Sequence, residues 1–275
     1  MRPNELFDLT GRVVVITGGT GLLGQRHAEA VAGAGAIAVM ADTRTDHLTA
    51  ESAGFADRFG PRASVMGVDV TDPRSVGSLL GAVLDRFGRV DVLINNAANN
   101  PQVGTGSDVE FSRLESFPLE QWQADLAVGL TGAFLCSRVF GAAMAQQGHG
   151  VIVNVASDLA LIGPDQRLYR KTGLPEDLQP VKPVTYSVVK AGLLGLTRYL
   201  ATYWATAGVR VNAISPGGIY TDQPEDFVER LSNLIPLGRM ARADEYEGAI
   251  LFLCSDASSY MTGANLVVDG GRTAW

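Results

Sequence analysis

The chain has 275 residues, a formal net charge of −7 at pH 7 and 46% hydrophobic residues. This length and apolar content suffice for one large α/β domain with a sizeable core. The acidic balance argues against a nucleic-acid partner, which needs a basic face to neutralise phosphates, and gives no support for binding to an anionic membrane surface.

The first residues are too polar for a signal peptide, and no apolar run reaches about 18 residues, so we expect a cytoplasmic protein with no membrane span. Cys136 and Cys254 lie in apolar surroundings and are expected to be buried, reduced thiols. The scattered His27, His47 and His149 make no metal-ligand spacing, so no metal site is predicted.

Short apolar runs alternate with helix-like segments along the whole chain. In chain order the predicted strands are RVVVITGG, AIAVMAD, ASVMGVDV, VDVLINNAA, GVIVNVAS, VRVNAISPG and NLVVDGG. Helices are predicted at about 22–34, in SVGSLLGAVLDRFG, over 119–147, over 186–207, near 225–234 and near 243–255. Strands this apolar are usually covered on both faces. The pattern therefore predicts an α/β fold, a Rossmann-type doubly wound parallel sheet of about seven strands with helices on both faces.

No linker or repeat divides the chain, so we expect a single domain over 1–275, with two long loops near 99–118 and 158–183. Structureless loops of this length are uncommon and often functional. The second loop carries Gln166, Arg167 and Arg170, which suit contact with a hydroxylated or anionic substrate. We expect it to act as a substrate-recognition lid; a solvated loop or a subunit contact is the alternative.

The stretch VVVITGGTGLLG places Gly18, Gly21 and Gly24 between a strand and a helix. Glycines let the backbone approach a pyrophosphate, and a helix N-terminus supplies N–H groups and positive potential. The spacing in this context predicts a dinucleotide site, although a plain glycine-rich turn has the same composition.

The second predicted strand ends at Asp42. A carboxylate there accepts hydrogen bonds from an adenosine ribose diol and repels a 2′-phosphate, so Asp42 favours NAD over NADP. The nearby Arg44 favours NADP instead. The remaining interpretation is that Asp42 is an ordinary solvated aspartate with no role in cofactor choice.

The stretch PVTYSVVKAG places Tyr186 four residues before Lys190, on one face of a predicted helix. Ser157 ends the fifth predicted strand, where an open α/β sheet binds its ligands. A lysine ammonium and a nicotinamide cation would both favour the phenolate of Tyr186, which moves a phenol towards use as a general acid–base.

This combination resembles the short-chain dehydrogenase/reductase family in its compact single-domain branch. The resemblance spans about 11–271 and rests on TGGTGLLG, VDVTD (68–72), NNAA (95–98), NVAS (154–157), YSVVK (186–190), VNAISPGGIYT (211–221) and VDGG (268–271). It implies a nicotinamide cofactor and interconversion of an alcohol and a ketone. It also implies a homo-oligomer, a dimer or tetramer.

By that resemblance Ser157 orients the substrate, Tyr186 transfers the proton, and Lys190 binds the nicotinamide ribose and lowers the tyrosine pKa. The cofactor contacts it implies are Gly18, Thr20, Gly21, Leu22, Leu23, Asp42, Asp69, Val70, Asn95, Ala97, Tyr186, Lys190, Pro216, Gly217, Ile219 and Thr221.

The chain departs from the compact branch in three ways. Leu22 stands where that branch has a glycine, the loop between Ser157 and Tyr186 is unusually long, and Gly129 replaces the usual catalytic asparagine. We expect Gly129 to keep a main-chain carbonyl near the Lys190 proton relay. It also eases local helix distortion.

LIGPDQRLY, PVTYSVVK and SNLIPLGRM look like family members of bacterial surface-sugar pathways, including flagellin glycosylation and nonulosonate synthesis. The first functional hypothesis is therefore a dehydrogenase of a sugar, sugar acid or polyol derivative. The second is a 3-oxoacyl-(carrier protein) reductase, which the acidic balance disfavours. The third is a non-catalytic nucleotide-binding sensor or scaffold.

Overall fold

A computed structural model describes residues 3–43, 50–99 and 112–275. Its strands are β1 (Val13–Thr17), β2 (Ile37–Asp42), β3 (Ala63–Gly67), β4 (Val92–Asn95), β5 (Gly150–Val155), β6 (Val209–Pro216) and β7 (Asn265–Val268). They form one parallel sheet in the order β3-β2-β1-β4-β5-β6-β7. The predicted seven-stranded Rossmann-type sheet is confirmed.

The helices are α1 (Leu22–Gly33), α2 (Ala50–Phe59), α3 (Pro73–Phe87), α4 (Leu119–Gln147), α5 (Val184–Tyr203), α6 (Glu225–Ser232) and α7 (Glu247–Cys254). Asp72 caps α3, where its side chain accepts a hydrogen bond from the Arg74 backbone N–H. The middle of α4, Ala127–Thr131, is a π-helical segment. The predicted last turns of α5, at 205–207, form a separate 3₁₀ turn.

The strands alternate their side chains between two cores, as a sheet covered on both faces requires. Val14 and Ile16 of β1 pack with α1, α2 and α7 on one face. Val13 and Val15 pack with α3, α4 and α5 on the other. This two-sided burial explains why the strand sequences are apolar throughout.

The two predicted loops differ from the expectation. Residues 158–183 are not structureless, because they contain 3₁₀ turns at Asp158–Ala160, Gln166–Tyr169 and Glu176–Leu178. Of the first loop, 100–111 lie outside the described residues, and Leu114–Ser116 forms a 3₁₀ turn.

By length and composition alone, α4 could cross a membrane, which the count of consecutive apolar residues did not anticipate. Core helices pass the same test, and α4 packs here through Leu135, Cys136, Phe140 and Met144 against the sheet. The observation is therefore weak evidence for a span.

Candidate active site

A cavity of about 680 Å³ lies along the edge where the parallel strands end. Its walls come from the turns that follow β1, β2, β4, β5 and β6, together with α5, α6 and the segment 158–183. Open α/β sheets bind ligands at this edge, because helix N-termini and loop backbones converge there.

The turn between β1 and α1 forms one end of the cavity. Gly18 has a φ of 62°, and a Cβ there would lie 2.9 Å from Ala97 Cα. A Cβ on Gly24 would lie 2.2 Å from the Gly18 carbonyl oxygen, so neither position admits a side chain. Gly21 caps α1 without a side-chain hydrogen bond, which leaves the N–H groups of the first helical turn available to an anion. The turn fits a pyrophosphate, and Leu22 and Leu23 line it.

Asp42 lies at the end of β2 and lines the same end of the cavity with Asp69 and Val70. Its carboxylate accepts hydrogen bonds from the backbone N–H of Thr20 at 3.2 Å and from Thr20 Oγ1 at 2.7 Å. Thr20 therefore supports Asp42 and is not itself among the cavity-lining residues.

Asn95, a predicted cofactor contact, does not line the cavity. Its Nδ2 donates to Ser137 Oγ at 2.9 Å and to Asn154 Oδ1 at 2.8 Å, beneath the cavity floor. The next residue, Asn96, follows the end of β4 and lines the cavity. Its Nδ2 donates to the carbonyls of Thr17 and Gly18 and braces the glycine turn.

Ser157, Tyr186 and Lys190 line one cavity, as the sequence predicts. Lys190 Nζ donates to the Val155 carbonyl at 2.8 Å, which ties α5 to the end of β5. Ser157 Oγ donates to Asp158 Oδ1 at 2.8 Å, and the Tyr186 side chain is hydrogen-bonded to Ser157.

The pKa directions differ in part from the expectation. Burial raises the pKa of Tyr186, the Ser157 hydrogen bond opposes that rise, and the Asp158 charge adds to it. Burial, together with the nearby Lys182 charge, lowers the pKa of Lys190 to about 8. The protein groups alone therefore favour the neutral phenol, the form that can donate a proton, and not the phenolate that the Tyr–Lys spacing predicts.

A buried ion pair includes Asp158, the residue that accepts the Ser157 hydrogen bond. Arg272 Nη1 lies 2.8 Å from Asp158 Oδ2, with the two side chains 7% and 4% exposed. Sequence reasoning missed both residues, although Asp158 directly follows Ser157 and Arg272 directly follows VDGG. A charged residue next to each motif was the available signal.

The far end of the cavity is formed by Leu168 and Tyr169 of the segment 158–183 and by Phe227 and Leu231 of α6. Tyr169 packs on Phe227 with their ring centroids 5.6 Å apart. Burial raises the pKa of Tyr169 to about 12, so its phenol is a neutral hydrogen-bonding group at physiological pH. Lys182, also missed from the sequence, lines this end with its Nζ 3.9 Å from the centre of the Tyr186 ring.

The three predicted substrate residues of this segment are not placed along the cavity. Asp165 caps the 3₁₀ turn at Gln166–Tyr169 and pairs with the exposed Arg167, with Nη2 and Oδ2 2.7 Å apart. Arg170 pairs with Glu176 on the outer surface. Gln166 Oε1 accepts the backbone N–H of Lys182 at 2.8 Å. Local ion pairs therefore hold both arginines away from the site.

The remaining predicted contacts lie where expected: Pro216, Gly217, Ile219 and Thr221 line the cavity after β6, and Ala97 lines it after β4. Gly129 lies in the π-helical segment of α4 and lines a separate cavity of about 10 Å³ next to Lys190. That volume is close to the space that one water needs.

Residues 12–169 match the family model described as short chain dehydrogenase. The chain belongs to the short-chain dehydrogenase/reductase family. Residues 177–273 match a second model of this group, described as Enoyl-(Acyl carrier protein) reductase. This short-chain dehydrogenase/reductase is accordingly an NAD(P)-dependent oxidoreductase that acts on CH–OH groups.

Similar proteins of this family differ in their substrates. The chain is 34% identical to a D-threitol dehydrogenase of Mycolicibacterium smegmatis, covering 97% of this chain and 95% of the relative. It is also 34% identical to a 3-oxoacyl-[acyl-carrier-protein] reductase of Synechocystis sp., covering 96% and 97%. A gluconate 5-dehydrogenase from Burkholderia cenocepacia, solved with NADP and tartrate, superposes with a TM-score of 0.84 at 28% identity, covering all of both chains.

Proposed function

We propose that this enzyme interconverts a secondary alcohol and a ketone on a sugar, sugar acid or polyol derivative, with NAD as the cofactor. The observation that carries the proposal is the single cavity of about 680 Å³ that joins the glycine turn and Asp42 to Ser157, Tyr186 and Lys190. The relatives that act on threitol and gluconate support the substrate class.

The proton transfer belongs to Tyr186 in this proposal. A bound nicotinamide supplies or accepts the hydride at the reacting carbon. In reduction the buried phenol of Tyr186 gives its proton to the ketone oxygen and becomes a phenolate, and in oxidation the phenolate takes the proton from the alcohol. Ser157 lines the same cavity beside that phenol, where its hydroxyl would hydrogen-bond the substrate oxygen.

Lys190 would hold the nicotinamide ribose and connect Tyr186 to solvent. Its Nζ is fixed by the Val155 carbonyl and faces the small cavity beside Gly129, Asp125 and Thr185. Asp125 accepts hydrogen bonds there from Asn99 and Gln121 side chains. We propose that this polar pocket relays protons from the lysine.

NAD is preferred over NADP because Asp42 and Asp69 put two carboxylates at the adenosine end of the cavity. A 2′-phosphate there would meet charge repulsion, whereas a ribose diol donates to a carboxylate. A homo-oligomer is also proposed, since α4 and α5 expose Phe134, Tyr199 and Tyr203.

The test follows absorbance of the reduced nicotinamide while the purified protein is offered polyols, sugars, aldonic acids, sugar phosphates and 3-oxoacyl thioesters, each with NAD(H) and NADP(H). We expect the highest kcat/KM with a hydroxylated compound and NAD(H). Faster turnover of a 3-oxoacyl thioester than of every hydroxylated compound would replace this proposal with the carrier-protein reductase.

A further inference from the structure

The sequence contains only three lysines, Lys171, Lys182 and Lys190, although lysines and arginines together number 22. Two of the three line the catalytic cavity. The stretch KPVTYSVVK spaces Lys182, Tyr186 and Lys190 four residues apart, with Lys182 just before α5 and the other two within it. The Nζ atoms of Lys182 and Lys190 lie 3.9 Å and 5.9 Å from the centre of the Tyr186 ring.

Lys182 is held in place by the chain around it. A proline follows it, which restricts its backbone to extended conformations just before α5 begins. Its backbone N–H donates to Gln166 Oε1 at 2.8 Å, which joins it to the turn that carries Leu168 and Tyr169. The backbone of Lys182 is therefore held between the 3₁₀ turn at Gln166–Tyr169 and the start of α5. Neither of these elements lies at the adenosine end of the cavity.

The charges that line the substrate end are mostly positive. Among the described residues, Lys182, Lys190 and Arg272 face one carboxylate, Asp158. Both oxygens of Asp158 already accept hydrogen bonds, Oδ1 from Ser157 and Oδ2 from Arg272. These four described groups therefore carry a formal charge of +2 within a chain of net charge −7. A local potential of the opposite sign to the whole protein concentrates an anionic ligand at that place.

We propose that Lys182 selects a substrate that carries an anionic group, a carboxylate or a phosphate, close to the hydroxyl that reacts. This inference rests on the proposed function, because it specifies the substrate of the same site. Burial lowers the pKa of Lys182 to about 8, and the Asp158 charge opposes that change. A bound anion stabilises the charged form of a partly desolvated amine. Anion binding therefore raises the fraction of Lys182 that is protonated, and protonation of Lys182 strengthens anion binding.

The kinetic test uses matched pairs that differ only in charge: D-gluconate with D-glucitol, L-threonate with L-threitol, and D-glucitol 6-phosphate with D-glucitol. We expect the wild type to favour the anionic member of at least one pair at least tenfold in kcat/KM. Lys182→Met keeps the aliphatic stem and should bring the anionic-to-neutral ratio of kcat/KM within a pair close to one, chiefly by raising KM for the anionic member. Lys171→Met, an exposed lysine of the same segment, should keep it.

A binding test does not depend on turnover. The complex with NADH is acetylated with an N-hydroxysuccinimide ester in the presence of each probe, and the three lysines are read by peptide mass spectrometry. We expect gluconate or glucitol 6-phosphate to protect Lys182 and glucitol to leave it reactive, with Lys171 unchanged throughout. Protection by one anion and not the other identifies carboxylate or phosphate.

Equal labelling of Lys182 with and without every anionic probe would overturn the inference, as would an unchanged preference in Lys182→Met. Efficient turnover of neutral polyols alone would also overturn it while leaving the proposed function intact. The failure of the proposed function has a different signature, which is reduction of 3-oxoacyl thioesters with no activity on either member of any pair.

Discussion

The cofactor end and the substrate end of the cavity differ in their charge and in how the chain builds them. Among the described residues, the cofactor end is lined by the carboxylates of Asp42 and Asp69, on turns within the first 100 residues. Within the same part of the chain, the substrate end carries three cations and one carboxylate, and combines the segment 158–183 with α6 and Arg272. The first end is thus assembled from local motifs, whereas the second depends on contacts between distant parts of the chain.

This difference separates the two tasks of the enzyme. Short turns fixed by glycines can hold a large and constant cofactor, because backbone geometry alone shapes them. The substrate end is covered by a small cluster of Leu168, Leu231, Ile235 and Met240, separate from the two cores beside the sheet. We infer that substitutions in this cluster alter the substrate preference of the enzyme and have little effect on its affinity for the cofactor.

The largest expected effect separates chemistry from cofactor binding. Tyr186→Phe removes the transferable proton and keeps the ring, so kcat should fall roughly 10²–10⁴-fold. NADH fluorescence titration should give a Kd within a few-fold of the wild type, because the glycine turn and Asp42 are untouched. Activity within a few-fold of the wild type would show that Tyr186 is not the proton-transfer group.

The second prediction concerns the ion pair behind Ser157. Arg272→Met leaves the carboxylate of Asp158 buried without its cation, which should lower the free energy of unfolding by about 3–5 kcal/mol. Arg242→Met breaks an exposed pair with Asp244 and should change it by less than about 1 kcal/mol. Urea denaturation measures both, and equal losses would contradict the buried pair's importance.

The third prediction tests the charge at the cofactor end. Asp42→Ala removes the carboxylate that disfavours a 2′-phosphate, so the ratio of NADP to NAD dissociation constants should fall by roughly tenfold, about 1.4 kcal/mol. Fluorescence titration with each cofactor measures the ratio. Tighter binding of NADP than NAD by the wild type would remove the basis of the prediction.

The smallest effect is expected on the outer face of the segment 158–183. Arg167→Ala and Arg170→Ala break exposed pairs with Asp165 and Glu176, outside the cavity. The urea denaturation midpoint should stay close to that of the wild type, and kcat/KM should change by less than twofold. A tenfold loss of kcat/KM with an unchanged oligomer mass would instead restore these arginines as substrate contacts.

The sequence predicted the sheet well because the central strands are buried on both faces and read as continuous apolar runs. It also predicted that Ser157, Tyr186 and Lys190 would meet, since the strand end and the helix start are fixed by that fold. These inferences need only short-range patterns and a known topology.

Other residues could not be assigned in this way. The side chains of Asn95 and Asn96 follow consecutive backbone positions, and only the exact end of β4 decides which one faces the cavity. From the sequence, Arg167 is a candidate substrate ligand. Its ion pair with Asp165 forms only because of the 3₁₀ turn, and the prolines and glycines of the segment gave no pattern that predicts this turn. Arg272 reaches Asp158 across 114 positions of sequence, a contact that no local pattern encodes.

The glycine at position 129 constrains how this enzyme can change by mutation. A Cβ there would lie 2.5 Å from Val189 Cγ1, and valine has little freedom to turn away inside a helix. Asparagine at 129 would therefore be harmful while Val189 is present and tolerated after Val189→Ala. The two positions are epistatic, and an evolutionary path between this form and an asparagine-bearing one is open in only one order, with the valine lost first.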